Sequence, residues 1–114
     1  MLKLILKSKK NQHFSEAIMM DGVITILKGA KINPILSFPS MSHKIISLRT
    51  DEKIVDKNGK LLLNMTFNSP TQAAQFVTGR SVNGYVAWRV NDTISLKSYR
   101  TLSASEKEKY ECQL

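Results

Sequence analysis

The chain predicts an α+β fold, a small antiparallel-leaning sheet with an N-terminal hairpin and two or three short helices. Three observations carry that prediction. Apolar residues recur at every second position over Leu2–Lys7 and over Leu61–Phe67, the period of a strand. Asp21-Gly22 separates two apolar runs, which is the signature of a tight hairpin. Ser69-Pro70 opens and Gly79 closes a segment in which Ala73, Phe76 and Val77 fall on one helical face.

Leu2, Leu4 and Leu6 alternate with Lys3, Ile5 and Lys7, giving a first strand whose basic residues discourage edge pairing. Lys7 to His13 is polar and reads as a loop. Phe14–Met20 and Val23–Leu27 are the next two strands, joined by the Asp21-Gly22 turn. Gly29 to Pro39, with two prolines, is a loop. Ser40 or Ser42 caps a helix from about Met41 to Asp51, with Ile45, Ile46 and Leu48 on its apolar side. Asn58-Gly59 turns a short strand near Ile54-Val55 into a longer one over Leu61–Phe67, whose alternate residues form a wholly apolar face. After the Ser69–Gly79 helix, Asn83-Gly84 reads as a tight turn and Tyr85–Val90 as a strand. Asp92 or Thr93 caps a last short helix carrying Ile94, Leu96 and Tyr99. These elements make one α+β domain over residues 1–102, with the densest signals in 61–102. A polar tail over 103–114 either extends a helix or frays. The N-terminal hairpin as a separate subdomain is the alternative, with no linker to mark it.

Asn68–Val90 concentrates Ser69-Pro70, Ala73-Ala74, Gly79-Arg80-Ser81, Asn83-Gly84 and Trp88 in one short span. In these residues it resembles the uncharacterised domain often appended to GIY-YIG nucleases and found in restriction-modification proteins. It is also similar to the restriction-enzyme-and-adenine-methylase-associated (RAMA) domain. Upstream, a strand ending in Gly29-Ala30, the basic Lys31 and a charged run near Arg49 to Glu52 resemble the first family too, so the likeness spans roughly residues 22–100. Tyr85 departs from it, because tryptophan usually follows the Asn-Gly there. The resemblance implies a nucleic-acid-associated accessory module standing without a nuclease half, linked to restriction-modification or phage defence.

Composition points the same way. The 114 residues carry 17 basic against 9 acidic side chains, a net charge of +8, which favours an anionic partner. The bland account is a basic surface kept for solubility. With 42% hydrophobic residues the chain can bury a core. The single cysteine, Cys112, cannot form an intramolecular disulfide, which suits a reducing cytoplasm. Lysines interrupt any apolar run at the N-terminus, and no stretch approaches the ~20 apolar residues that span a bilayer. A soluble cytoplasmic protein is expected.

Catalysis needs an activated nucleophile beside a base. His13 and His43 are the available imidazoles; neither has a carboxylate at a recognisable spacing, and both read as surface histidines. Asp51 and Glu52 are adjacent and point apart on a helix. No phosphate-cradling glycine loop and no metal-ligand spacing occurs, so no catalytic residue, metal or cofactor is expected. The candidate site is the basic-aromatic segment. Arg80, Arg89, Lys97 and Arg100 share residues 61–102 with one acidic residue, Asp92. Arginine offers a planar fork to phosphate oxygens or guanine edges. Ser81 and Asn83 add hydrogen bonds, and Tyr85, Trp88 and Tyr99 are rings on which a base could stack. Trp88 reads as core before ligand. Arg80 directly follows the helix stop and is the foremost contact residue, with a surface salt bridge or a carbonyl contact as its competing role. Nucleic acid is the expected partner, DNA favoured over RNA, and a homodimer through the Leu2–Lys7 edge is left open. The competing reading is a protein-interaction adaptor that docks to a nuclease, methylase or phage-defence partner; an independent small enzyme ranks third.

Overall fold

Strand alternation sets up the sheet, and one helix closes it. The structure, a computed structural model, describes residues 1–10, 12–36 and 41–111. Ser40 and Cys112 lie outside the described residues. Four strands, β1 (Leu2–Lys7), β2 (Phe14–Met20), β3 (Val23–Ile26) and β4 (Met65–Phe67), form an antiparallel sheet in the order β1-β2-β3-β4. Among the described residues five helices accompany it: α1 (His43–Thr50), α2 (Pro70–Thr78) and the single turns α3 (Gly84–Ala87), α4 (Leu96–Tyr99) and α5 (Ala104–Lys107). Among the described residues no helix is long and apolar enough to cross a membrane.

The β2–β3 hairpin turns on Asp21 (φ 53°) and Gly22 (φ 79°), both left-handed, the combination that a two-residue hairpin with right-twisted strands requires. The pairings Leu4↔Ala17, Ala17↔Ile26 and Ile24↔Phe67 put one row of apolar side chains on the inner face. Leu4, Ala17, Ile24, Ile26 and Phe67 are all buried there. Helix α2 covers this face with Ala73, Ala74, Phe76 and Val77, and the Phe67 and Phe76 rings meet at 5.4 Å. The outer edge of β1 is held from the C-terminal half. Ile5 and Arg89 exchange both backbone hydrogen bonds, at 2.8 and 2.9 Å, and Leu2 bridges to Glu111. The hairpin is therefore built into the common sheet, and β1 is not a bare edge.

Capping chemistry fixes α2. Ser69 Oγ accepts from the Thr71 and Gln72 amides, Pro70 occupies the first turn, and Gly79 ends the helix at φ 69°. Helix α1 starts at His43, later than the sequence suggests, because Ser42 is the residue that caps it.

Four expectations change. The Leu61–Phe67 strand shrinks to β4. Leu61 is buried and bridges to Val55, but the chain then leaves strand geometry and Leu63 is exposed, so the predicted apolar face is broken. Asn83-Gly84 is not a reversing turn. Asn83 caps α3, its Oδ1 accepting from the Tyr85 amide at 2.9 Å, and Gly84 does not take a positive φ. The Tyr85–Val90 strand is replaced by α3 and a single bridging residue, Arg89. Ser95, not Asp92 or Thr93, caps α4, since Asn91 already satisfies the Thr93 and Ile94 amides. The tail adds α5 under a Ser103 cap, and Tyr110 packs edge-on against buried Tyr99.

Candidate nucleic-acid interface

Gly84 and Trp88 explain why the signature segment is so specific. A Cβ on residue 84 would overlap the Pro70 carbonyl group, so only glycine lets α3 lie against the start of α2. Thr71 Oγ1 accepts from the Gly84 amide at 3.1 Å. Fully buried Trp88 donates its indole N–H to the Pro70 carbonyl at 3.0 Å. Ser69, Pro70, Asn83, Gly84 and Trp88 thus form one lock between two helices.

The seven predicted contact residues fall into separate neighbourhoods. Arg80 leaves the end of α2 and donates from Nη2 to Gln12 Oε1 at 3.1 Å, which carries it to the β1–β2 connection. Ser81 is exposed beside it. Asn83 spends its side-chain oxygen on the α3 cap. Tyr85 is half-buried, and the Arg100 guanidinium lies 4.6 Å from its ring centre, a cation–π contact that occupies that face. Arg89 folds back on backbone, donating to the Asn91 and Asp92 carbonyls at 3.4 and 3.1 Å. Lys97 is exposed on α4. Trp88 and Tyr99 are buried, which removes both from the stacking role.

The arrangement that does gather charge is one the sequence reading passed over as a polar loop. The β1–β2 connection is tied by Ser8, whose Oγ accepts from the Gln12 and His13 amides at 2.6 and 3.3 Å and whose amide donates to the His13 carbonyl at 3.2 Å. This leaves Lys9 and Lys10 exposed at its tip. Between that connection and the segment after α2 lies a groove of ≈ 410 Å³. Its cationic lining is Lys7, Lys9, Lys10 and Arg80; Gln12 and Ser8 add polar groups, and Leu6, Val82 and Ala87 an apolar floor. Among the described residues no carboxylate lines it. Lys7 has Asp92 at 3.6 Å, an exposed pair that neutralises little. The pair Lys9-Lys10 was visible in the sequence, but its meeting with Arg80 was not.

His13 also lines the groove and is buried rather than on the surface. Burial, and secondarily the Arg80 charge, push its pKa below the ordinary value, so the ring is neutral at pH 7. Its Nδ1 has no hydrogen-bond partner, and no carboxylate orients it. His43 is exposed on α1, and Asp51 and Glu52 follow that helix rather than lying on it. Among the described residues no group of three or more His, Cys, Asp or Glu is placed to hold a metal ion.

Arg49 is the functional-looking cation that turns out to be structural. Its guanidinium is half-buried and donates to the carbonyls of Asn33 and Phe76, with Ile35 at 3.5 Å, and burial draws its pKa down. It closes the C-terminal end of α2, where a cation also meets the negative end of the helix dipole.

A family model described as Domain of unknown function (DUF4357) matches residues 5–100, from the middle of β1 to just past α4. No curated protein and no solved structure matches the chain.

Proposed function

The chain belongs to this family of unknown function, and from that premise we propose that it is a non-catalytic nucleic-acid-binding accessory module, with DNA favoured over RNA. The observation that carries the reading is the groove between the β1–β2 connection and Arg80, lined by four cations, of which Lys7 has the Asp92 carboxylate at 3.6 Å. A phosphodiester backbone is a polyanion that such a cluster would attract, with affinity chiefly from counterion release. The contact face centres on Lys7, Lys9, Lys10 and Arg80. Arg89, Lys97 and Arg100 supply attraction around it rather than one recognition surface. The non-catalytic reading is supported by the chemistry of the groove, where the one imidazole is neutral and lacks a carboxylate to orient it. Service to a nuclease or methylase of restriction-modification or phage defence follows from the resemblance of the Ser69–Trp88 segment, and the single cysteine, Cys112, suits a reducing cytoplasm.

Fluorescence anisotropy with a labelled oligonucleotide, titrated at rising salt, tests the reading. Occupancy of the groove by about four phosphates predicts that log K falls with log salt at a slope near −3 to −4. Absence of salt-sensitive binding to any DNA or RNA would overturn it in favour of the adaptor reading, for which Met20 and Val23 at the β2–β3 hairpin offer exposed apolar surface.

A further inference from the structure

Register places an aromatic ring next to the cationic groove, on the sheet face opposite α2. Lys3, Ile5 and Lys7 of β1 oppose Ile18, Glu16 and Phe14 of β2, and these side chains lie on the outer side of the sheet, away from α2. Phe14 is 44% exposed, and among the described residues it is the exposed aromatic side chain. Trp88 and Tyr99 are buried, and Tyr85 already carries Arg100.

Phe14 is not an isolated apolar residue on a polar surface. With Ile5, Lys7, Arg89, Asn91 and Asp92 it lines a depression of ≈ 80 Å³, in which Lys7 has the Asp92 carboxylate at 3.6 Å. Lys7 lines both this depression and the groove, so the two are neighbours across the end of one strand. Arg89 pairs with Ile5 on the other side of β1, and its fork is fixed by the Asn91 and Asp92 carbonyls. The result is a ring beside Arg89 and the exposed Lys7–Asp92 pair, next to the cationic groove.

We propose that the nucleic acid is held as a single strand, with its backbone in the Lys9–Lys10–Arg80 groove and a base stacked on Phe14. The proposal rests on the nucleic-acid reading above and names its substrate class. In a duplex the base faces are stacked on one another and closed to a protein ring, so only an unpaired base can use Phe14. Lys7 exchanges its exposed Asp92 partner for the phosphate of the stacked nucleotide, and the open sheet leaves room for the base.

The test compares a short labelled oligothymidylate with its duplex on oligoadenylate, for the wild-type chain and for Phe14→Leu, Phe14→Tyr and Arg80→Ala. Phe14→Leu keeps apolar volume at the site, and a thermal melt confirms folding. Loss of one stacked base predicts that Phe14→Leu weakens single-strand binding by about 5- to 150-fold and leaves the duplex unchanged. Phe14→Tyr retains single-strand affinity. Equal single-strand affinity for Phe14→Leu and wild type, with Arg80→Ala weakened, would overturn the stacking proposal and leave the binding function standing. Equal losses on both probes would also overturn it. No salt-sensitive binding by the wild type to either probe would overturn the functional reading itself.

Discussion

The Ser69–Trp88 lock and the Ser8–His13 connection are opposites. The first is dense in distinctive residues, and nearly all of them are consumed by folding. Ser69 caps, Pro70 starts the helix, Gly84 permits a close approach, and Trp88 bonds back to Pro70. The second has little signature beyond lysines and polar residues, yet it builds the wall of the cationic groove. The contrast teaches that a specific motif reports what a domain is. A surface that meets a partner needs charge in the right place, which many sequences supply.

Substitutions in the lock should break the fold and spare the charge. Trp88→Ala removes a fully buried ring and its hydrogen bond to the Pro70 carbonyl, and should cost about 3–5 kcal/mol. Gly84→Ala should cost about 3 kcal/mol or more, because the methyl group has no room against Pro70. Urea unfolding measures both; a loss under about 1 kcal/mol for either would show that the lock is loose.

The groove should report on itself through pH. His13 has its pKa lowered from 6.5 in the folded state, so below about pH 6.5 the unfolded chain binds more protons than the folded one. Stability is therefore full above that range and declines as pH falls toward the folded-state pKa, by at most about 1.4 kcal/mol per pH unit. In His13→Gln this acid limb should flatten, as read by melts from neutral to mildly acidic pH. An unchanged limb would place its origin elsewhere.

The smallest expected effect on stability is also the sharpest contrast. Lys10→Ala with Arg80→Ala should change stability by no more than about 0.5 kcal/mol each, since both side chains are exposed. The same pair should lower the salt slope of nucleic-acid binding by about 1 per charge removed. A large stability loss in this double variant would erase the distinction between the two regions.

The β1–β3 strands and α2 were legible because their signals are local. Alternation, Asp21-Gly22, the Ser69 cap and the Gly79 stop each act within a few residues. Asn83-Gly84 misled for a physical reason. Asn-Gly marks a turn when its glycine uses a positive φ, whereas Gly84 is glycine to fit against Pro70. Leu61–Phe67 misled because its alternation is genuine, while its first part is tied irregularly, with Gly29 donating to the Leu61 carbonyl and Lys28 to Asn64 Oδ1. At the site, the cations were legible as residue types. Their grouping was not, because the Arg80–Gln12 contact joins residues far apart in the chain. His13 looked like a surface residue for the same reason: the neighbours that bury it come from beyond α2.

Trp88 is the single tryptophan of the chain, and it sits fully buried with its indole N–H committed to Pro70. The molecule thus carries an intrinsic fluorophore at the joint between α2 and α3. Its emission follows the packing of that joint, and a labelled oligonucleotide follows the groove. The two halves of the comparison can be watched in one cuvette at two wavelengths.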